Sequence, residues 1–88
     1  MTALAKDPAR FVETIIEDET VVMRLDSGDF FSLKGTGRAV WDAIDGSRDR
    51  DAVLGIIAVR YGTTAEAIAP EVDAFLAELC EAGLLQKG

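Results

Sequence analysis

Apolar positions along the chain change their spacing once, near residue 34. Before that point the runs "FVETII" (residues 11 to 16), "VVMRL" (21 to 25) and "FFSL" (30 to 33) are rich in β-branched and aromatic side chains, which predicts strands. Val21, Met23 and Leu25 alternate with Val22 and Arg24, the period-2 pattern of a strand with one buried face. Glu17-Asp18-Glu19 suits the turn of a first hairpin. "DSGD", Asp26 to Asp29, suits a second, with Gly28 able to take a positive φ.

After residue 34 the spacing becomes helical. Thr36 can cap a first helix whose apolar side is Ala39, Val40, Trp41, Ala43 and Ile44, ended by Asp45-Gly46. A second helix is expected from near Asp49 to Gly62, with Val53, Leu54, Ile57, Ala58 and Tyr61 as its stripe. Thr63 and Glu66 have the spacing of a capping box for a third helix, and Pro70 predicts a kink or break near Ala69. From there Val72, Phe75, Leu76, Leu79 and Cys80 form a stripe that Gly83 closes. The pattern predicts an α+β fold, a three-stranded antiparallel sheet followed by three α-helices in a winged helix-turn-helix. Residues 1–10 read as a flexible N-terminus and 11–88 as the domain.

Composition narrows the function classes. Eighty-eight residues with 49% hydrophobic side chains suit one small core, burying roughly two-thirds of the unfolded surface. No run has the roughly 18 apolar residues of a membrane span, and the start lacks a secretion signal, so a cytoplasmic location is expected. There is one cysteine and no histidine, which removes the commonest zinc sets and most acid-base and nucleophile arrangements; no catalytic, metal or cofactor site is expected. The net charge of −7 disfavours nucleic acid and anionic membrane as partners and favours a basic or neutral one.

Individual features then sort by chemistry. A winged helix suggests a DNA-binding regulator, yet Thr64 to Gly83 carries Glu66, Glu71, Asp73, Glu78 and Glu81 and no lysine or arginine, so duplex phosphates would repel it. Asp26-Ser27 resembles the attachment site of an acyl or peptidyl carrier, but it lies between strands where a hairpin turn is the simpler reading. Cys80 is expected to be a buried structural thiol, and Trp41 a core anchor whose N–H reaches a carbonyl or water. Arg48 and Arg50 read as surface charges able to pair with Asp49 or Asp51. Adjacent strand residues face opposite ways; if Phe31 and Leu33 meet the helices, Phe30 and Ser32 point outward on a strand that can be an open edge.

"VVMRLDSGDFFSLKGTGRAVWDAIDG", residues 21 to 46, resembles the PqqD-like family, the leader-peptide recognition elements of ribosomally made, modified peptides. "AVLGIIAVRYG" (52 to 62) and "EVDAFLAELCEAGLL" (71 to 85) continue the likeness, which runs from about residue 11. Where the family often has asparagine after the strand's leucine, this chain has Lys34, then Gly35 and Gly37, which allows the helix start to shift. The resemblance implies a non-catalytic protein that binds the leader of a precursor peptide as an added strand, antiparallel to the third strand. It implies a strand site of Asp29, Phe30, Phe31, Ser32 and Leu33 and a helix wall of Val72, Asp73, Phe75, Leu76 and Leu79. The implied partners are the precursor and a modifying enzyme, either a radical S-adenosylmethionine protein or a leader peptidase and cyclase pair. Oligomeric state is left open.

Overall fold

The computed structural model describes residues 3–86. Its elements are β1 (Phe11–Ile16), β2 (Glu19–Arg24), β3 (Phe30–Leu33), α1 (Gly35–Ala43), α2 (Arg50–Arg60) and α3 (Ala65–Glu81). The sheet is antiparallel in the order β1-β2-β3, so the winged helix-turn-helix read from the sequence is the architecture found.

Register decides which face is buried. Phe11 pairs with Arg24 and Glu13 with Val22, while Val22 pairs with Phe31 and Thr20 with Leu33. These residues share the face turned to the helices, where Thr20, Val22 and Leu33 are buried. Val21 and Met23 fall on the other face, and Leu25 lies beyond the strand and is exposed. Apolar character alone could not choose between two alternating apolar sets; the helices chose Val22.

Helix boundaries follow local chemistry with four departures from expectation. Thr36 does not cap α1: the N-cap is Lys34, without a side-chain capping bond, and Gly35 turns the chain at φ 54, where a Cβ would be strained. Asp49 caps α2 as expected, accepting from the Ala52 N–H at 2.9 Å, but Tyr61 sits past the helix and is exposed. In α3 the cap is Thr64 rather than Thr63, its hydroxyl accepting from the Ala67 N–H at 3.1 Å. The helix then continues through Pro70 without a break. Pro70 denies the Glu66 carbonyl its usual donor, but both residues are exposed and water can replace it.

The core lies between the inner sheet face and the three helices, and Trp41 is at its centre with no exposed surface. Its ring meets Phe11 edge-on at 5.2 Å between centroids, and Lys6 Nζ lies 4.4 Å from its centroid. Its N–H donates to Glu13 Oε2 at 2.8 Å, a carboxylate rather than the carbonyl or water anticipated. The segment read as a flexible N-terminus is tied down from Leu4 to Asp7. Leu4 N–H donates to Arg48 O, Asp7 N–H to Leu84 O and Gln86 N–H to Ala5 O, and Lys6 bridges Leu85.

Cys80 is exposed, contrary to expectation. Leu79 occupies the buried line of α3, and the next residue lies about 100° farther round the helix, past the edge of the stripe. Cys80 instead borders a cavity of about 600 Å³ with Asp7, Arg10, Gly83, Leu85 and Gln86.

Candidate functional site

Among the described residues, β3 has a neighbour on one side only. Arg24 N–H donates to Asp29 O at 2.9 Å, which marks Arg24 and Asp29 as a hydrogen-bonded pair of the β2-β3 ladder. Antiparallel ladders alternate, so Phe31 and Leu33 also bond to β2, while the N–H and C=O of Phe30 and Ser32 are directed at the open edge. Four backbone groups are thus aligned for an incoming strand.

Both β3 and α3 pack on α1. A Cβ built on Gly37 would come 3.4 Å from the Phe75 ring, so that ring lies over the start of α1, close to the end of β3. Phe31 and Phe75 are the half-buried rings of this border, packed against the core from outside. Gly37→Ala keeps ordinary contact with Phe75 and removes a helix glycine, so it is expected to raise stability by about 0.5–1 kcal/mol in a thermal melt. Gly37→Val is expected to push the ring aside and forfeit that gain.

The ten residues implied by the resemblance divide into three groups. Phe30 is 70% exposed, Ser32 is exposed with its hydroxyl bonded to Glu19, and Phe31 and Phe75 are half-buried. Phe31 therefore faces the helices and Phe30 the solvent. Asp29 is exposed at the start of the strand, where its carboxylate accepts from the Ser27 hydroxyl at 3.0 Å. Leu33, Val72, Leu76 and Leu79 are buried and supply the floor beneath the border rather than free contact surface.

Asp73 is the member that lies elsewhere. Two residues before Phe75, it is about 160° round the helix. It receives Arg50 Nε at 2.6 Å and the second guanidinium nitrogen at 2.7 Å, a bidentate pair joining α2 to α3. Arg50 was expected to pair with Asp49 or Asp51; it does reach Asp51 at 3.2 Å, but its main partner is 23 positions away, where no local spacing signals it. The acidic residues beside Phe75 are instead Glu71 and Glu78, four before and three after it, both exposed. That i−4 and i+3 relation was legible in the sequence.

The Arg50 guanidinium holds the Asp73 carboxyl below its ordinary range. The unfolded chain regains a value of about 4, so the unfolded state binds more protons in that window. The stabilisation is therefore complete above about pH 4 and is lost as pH falls through the folded value. Glu19, Asp26 and Asp45 are shifted the same way by Ser32, Arg24 and Ser47 respectively. In urea melts below about pH 4, Asp73→Asn is expected to show a shallower pH dependence than the wild type without abolishing it.

Among the described residues, no group of three or more His, Cys, Asp or Glu is placed to hold a metal ion, and no single helix is long and apolar enough to cross a membrane. Comparison with known proteins adds two likenesses. The family model described as coenzyme PQQ synthesis protein D (PqqD) matches residues 19–85. A solved structure of TbiB1 in complex with the TbiA(beta) leader peptide superposes with a TM-score of 0.83 over 96% of each chain at 21% identity, a likeness of fold. No curated protein matches the chain.

Proposed function

The chain belongs to the PqqD family, and on that premise we propose that it binds the leader of a ribosomally made precursor peptide and presents it to a modifying enzyme. The observation that carries the proposal is the open edge of β3, where the backbone groups of Phe30 and Ser32 point outward; the half-buried Phe31 and Phe75 rings pack against the core from outside. Strand addition takes its affinity from such backbone groups and its specificity from pockets for alternate side chains. Support also comes from the likeness in fold to TbiB1, whose solved structure holds a leader peptide.

Magnitudes say what the edge alone can do. Four backbone hydrogen bonds at about 0.5–1.5 kcal/mol each give about 2–6 kcal/mol before ordering costs, short of the roughly 8 kcal/mol of micromolar binding. Apolar side chains of the leader inserted at Phe31 and Phe75 supply the difference. A lysine or arginine of the leader meets Glu71 or Glu78, an attraction that weakens with salt. The chain contributes binding and orientation, and the chemistry belongs to the partner enzyme, a radical S-adenosylmethionine protein or a leader peptidase and cyclase pair.

Titration with synthetic leaders of candidate precursor peptides, followed by amide NMR, tests the assignment. The Phe30 and Ser32 amides are expected to shift most, with those around Phe75. If they stay still while others move, the edge is not the site.

A further inference from the structure

Among the described residues, β1 also pairs on one side only, which gives the sheet a second open edge. Leu25 N–H donates to Arg10 O at 2.9 Å, so by alternation Val12, Thr14 and Ile16 bond to β2. The N–H and C=O of Phe11, Glu13 and Ile15 are then directed away from the sheet. Open edges in soluble proteins are usually blunted by lysine, proline or a bulge. β1 has none of these: its pairing with β2 is unbroken, and its single charge, Glu13, accepts from the Trp41 N–H at 2.8 Å. Both faces of its hairpin end are apolar, with Ile15 65% and Ile16 56% exposed.

We infer that β1 pairs antiparallel with β1 of a second copy, about a twofold axis at Thr14, joining two sheets into one of six strands. Two identical strands bring the outward groups of Phe11, Glu13 and Ile15 together only when the axis passes through a residue. An axis at Glu13 sets that carboxylate against its own copy, like charge on like. An axis at Ile15 sets Val12 against Asp18, apolar against charged. An axis at Thr14 sets Val12 against Ile16 on each side and the threonine against itself. It also brings Asp18, which makes no ion pair among the described residues, opposite the exposed Arg10, again on each side. Arg10 is held within its own chain only by Asp7 at 3.2 Å. Ile15 of the second copy then faces Glu13, which borders a cavity of about 300 Å³ with Pro8, Phe11 and Ile44.

A strand of six residues offers an edge about 20 Å long, so the contact belongs with small, transient interfaces. The net charge of −7 on each chain opposes association in general, which leaves the register that pairs opposite charges as the favoured one. The dimer is therefore reversible. Its two β3 edges lie at the far ends of the six-stranded sheet, so both stay open and neither competes with the other.

Sedimentation equilibrium of the full chain, from micromolar to millimolar concentration, is expected to show monomer and dimer in exchange. Arg10→Asp and Asp18→Arg are each expected to weaken the dimer at least fivefold. The two together are expected to restore it to within about twofold, because the swap returns opposite charges to both ends. In a Cys80→Ser background, mild oxidation is expected to link Thr14→Cys chains, whose Cα atoms on the axis lie about 4.5 Å apart. Val12→Cys is expected to stay unlinked, since its own copy lies four residues along, about 13 Å away. Ser32→Pro, which blocks the other edge, is expected to leave the equilibrium unchanged. A wild-type chain that remains monomeric at millimolar concentration overturns the inference without recourse to any variant. Equal linking at Thr14 and Val12, or a charge swap that fails to restore the dimer, overturns it as well. Loss of the dimer in Ser32→Pro assigns the contact to β3 and has the same effect.

Discussion

Ser32→Pro is expected to weaken leader binding at least tenfold while the domain stays folded. The residue's N–H is directed at the open edge and takes no part in the β2 ladder, so a proline there removes an edge donor and sets its ring in the path of the incoming strand. One lost hydrogen bond of about 0.5–1.5 kcal/mol, with the steric block added, accounts for the tenfold. Phe31 before it is already extended, as a residue preceding proline must be. Ser32→Ala, which keeps the N–H and loses only the hydroxyl bonded to Glu19, is expected to bind leader like the wild type. Phe31→Pro makes the contrast, because its N–H belongs to the pair with Val22 inside the ladder. That change is expected to cost about 3 kcal/mol of stability. Calorimetric titration with the leader and a urea melt on each variant separate the two outcomes. Equal binding by Ser32→Pro and wild type would remove strand addition at β3 from consideration.

Trp41→Ala is expected to lose about 3–5 kcal/mol, the range for deleting a fully buried aromatic side chain. At about 0.05–0.15 kcal/mol per residue, a domain of 88 residues has only about 4–13 kcal/mol to lose. The melting temperature should fall by at least about 12 °C, or the chain should fail to fold at all. The cavity would open beneath Phe11, and the Glu13 carboxylate and the Lys6 ammonium would lose the ring that holds β1 and the N-terminal segment to α1. Trp41→Phe retains most of the apolar volume. Glu13 is exposed and can turn to water, so this variant is expected to lose about 1 kcal/mol. Circular dichroism melts check both, and an unchanged midpoint for the alanine variant would contradict the central place given to this ring.

Element order and type were legible in the chain because apolar spacing reports which side of a segment is dry. The strands at 11–16 and 30–33, the stripe Val53, Leu54, Ile57 and Ala58, and the stop at Gly83 all follow from that spacing, as does the winged-helix fold with its family. The net charge of −7 and the acidic last helix were legible in the same way. Three-dimensional packing settled what spacing leaves degenerate. Val21 and Val22 are equally apolar, and only the helices lying against the sheet bury the second. Phe30 and Phe31 are identical side chains, and the hydrogen-bond alternation set by Arg24 and Asp29 gave the first the open edge and the second the core side. Cys80 fell one helical step outside its stripe, and Asp73 pairs with an arginine 23 residues earlier. Periodicity is a property of one segment; which of two equivalent faces is buried, and which distant charge finds a partner, depends on where the other segments come to rest.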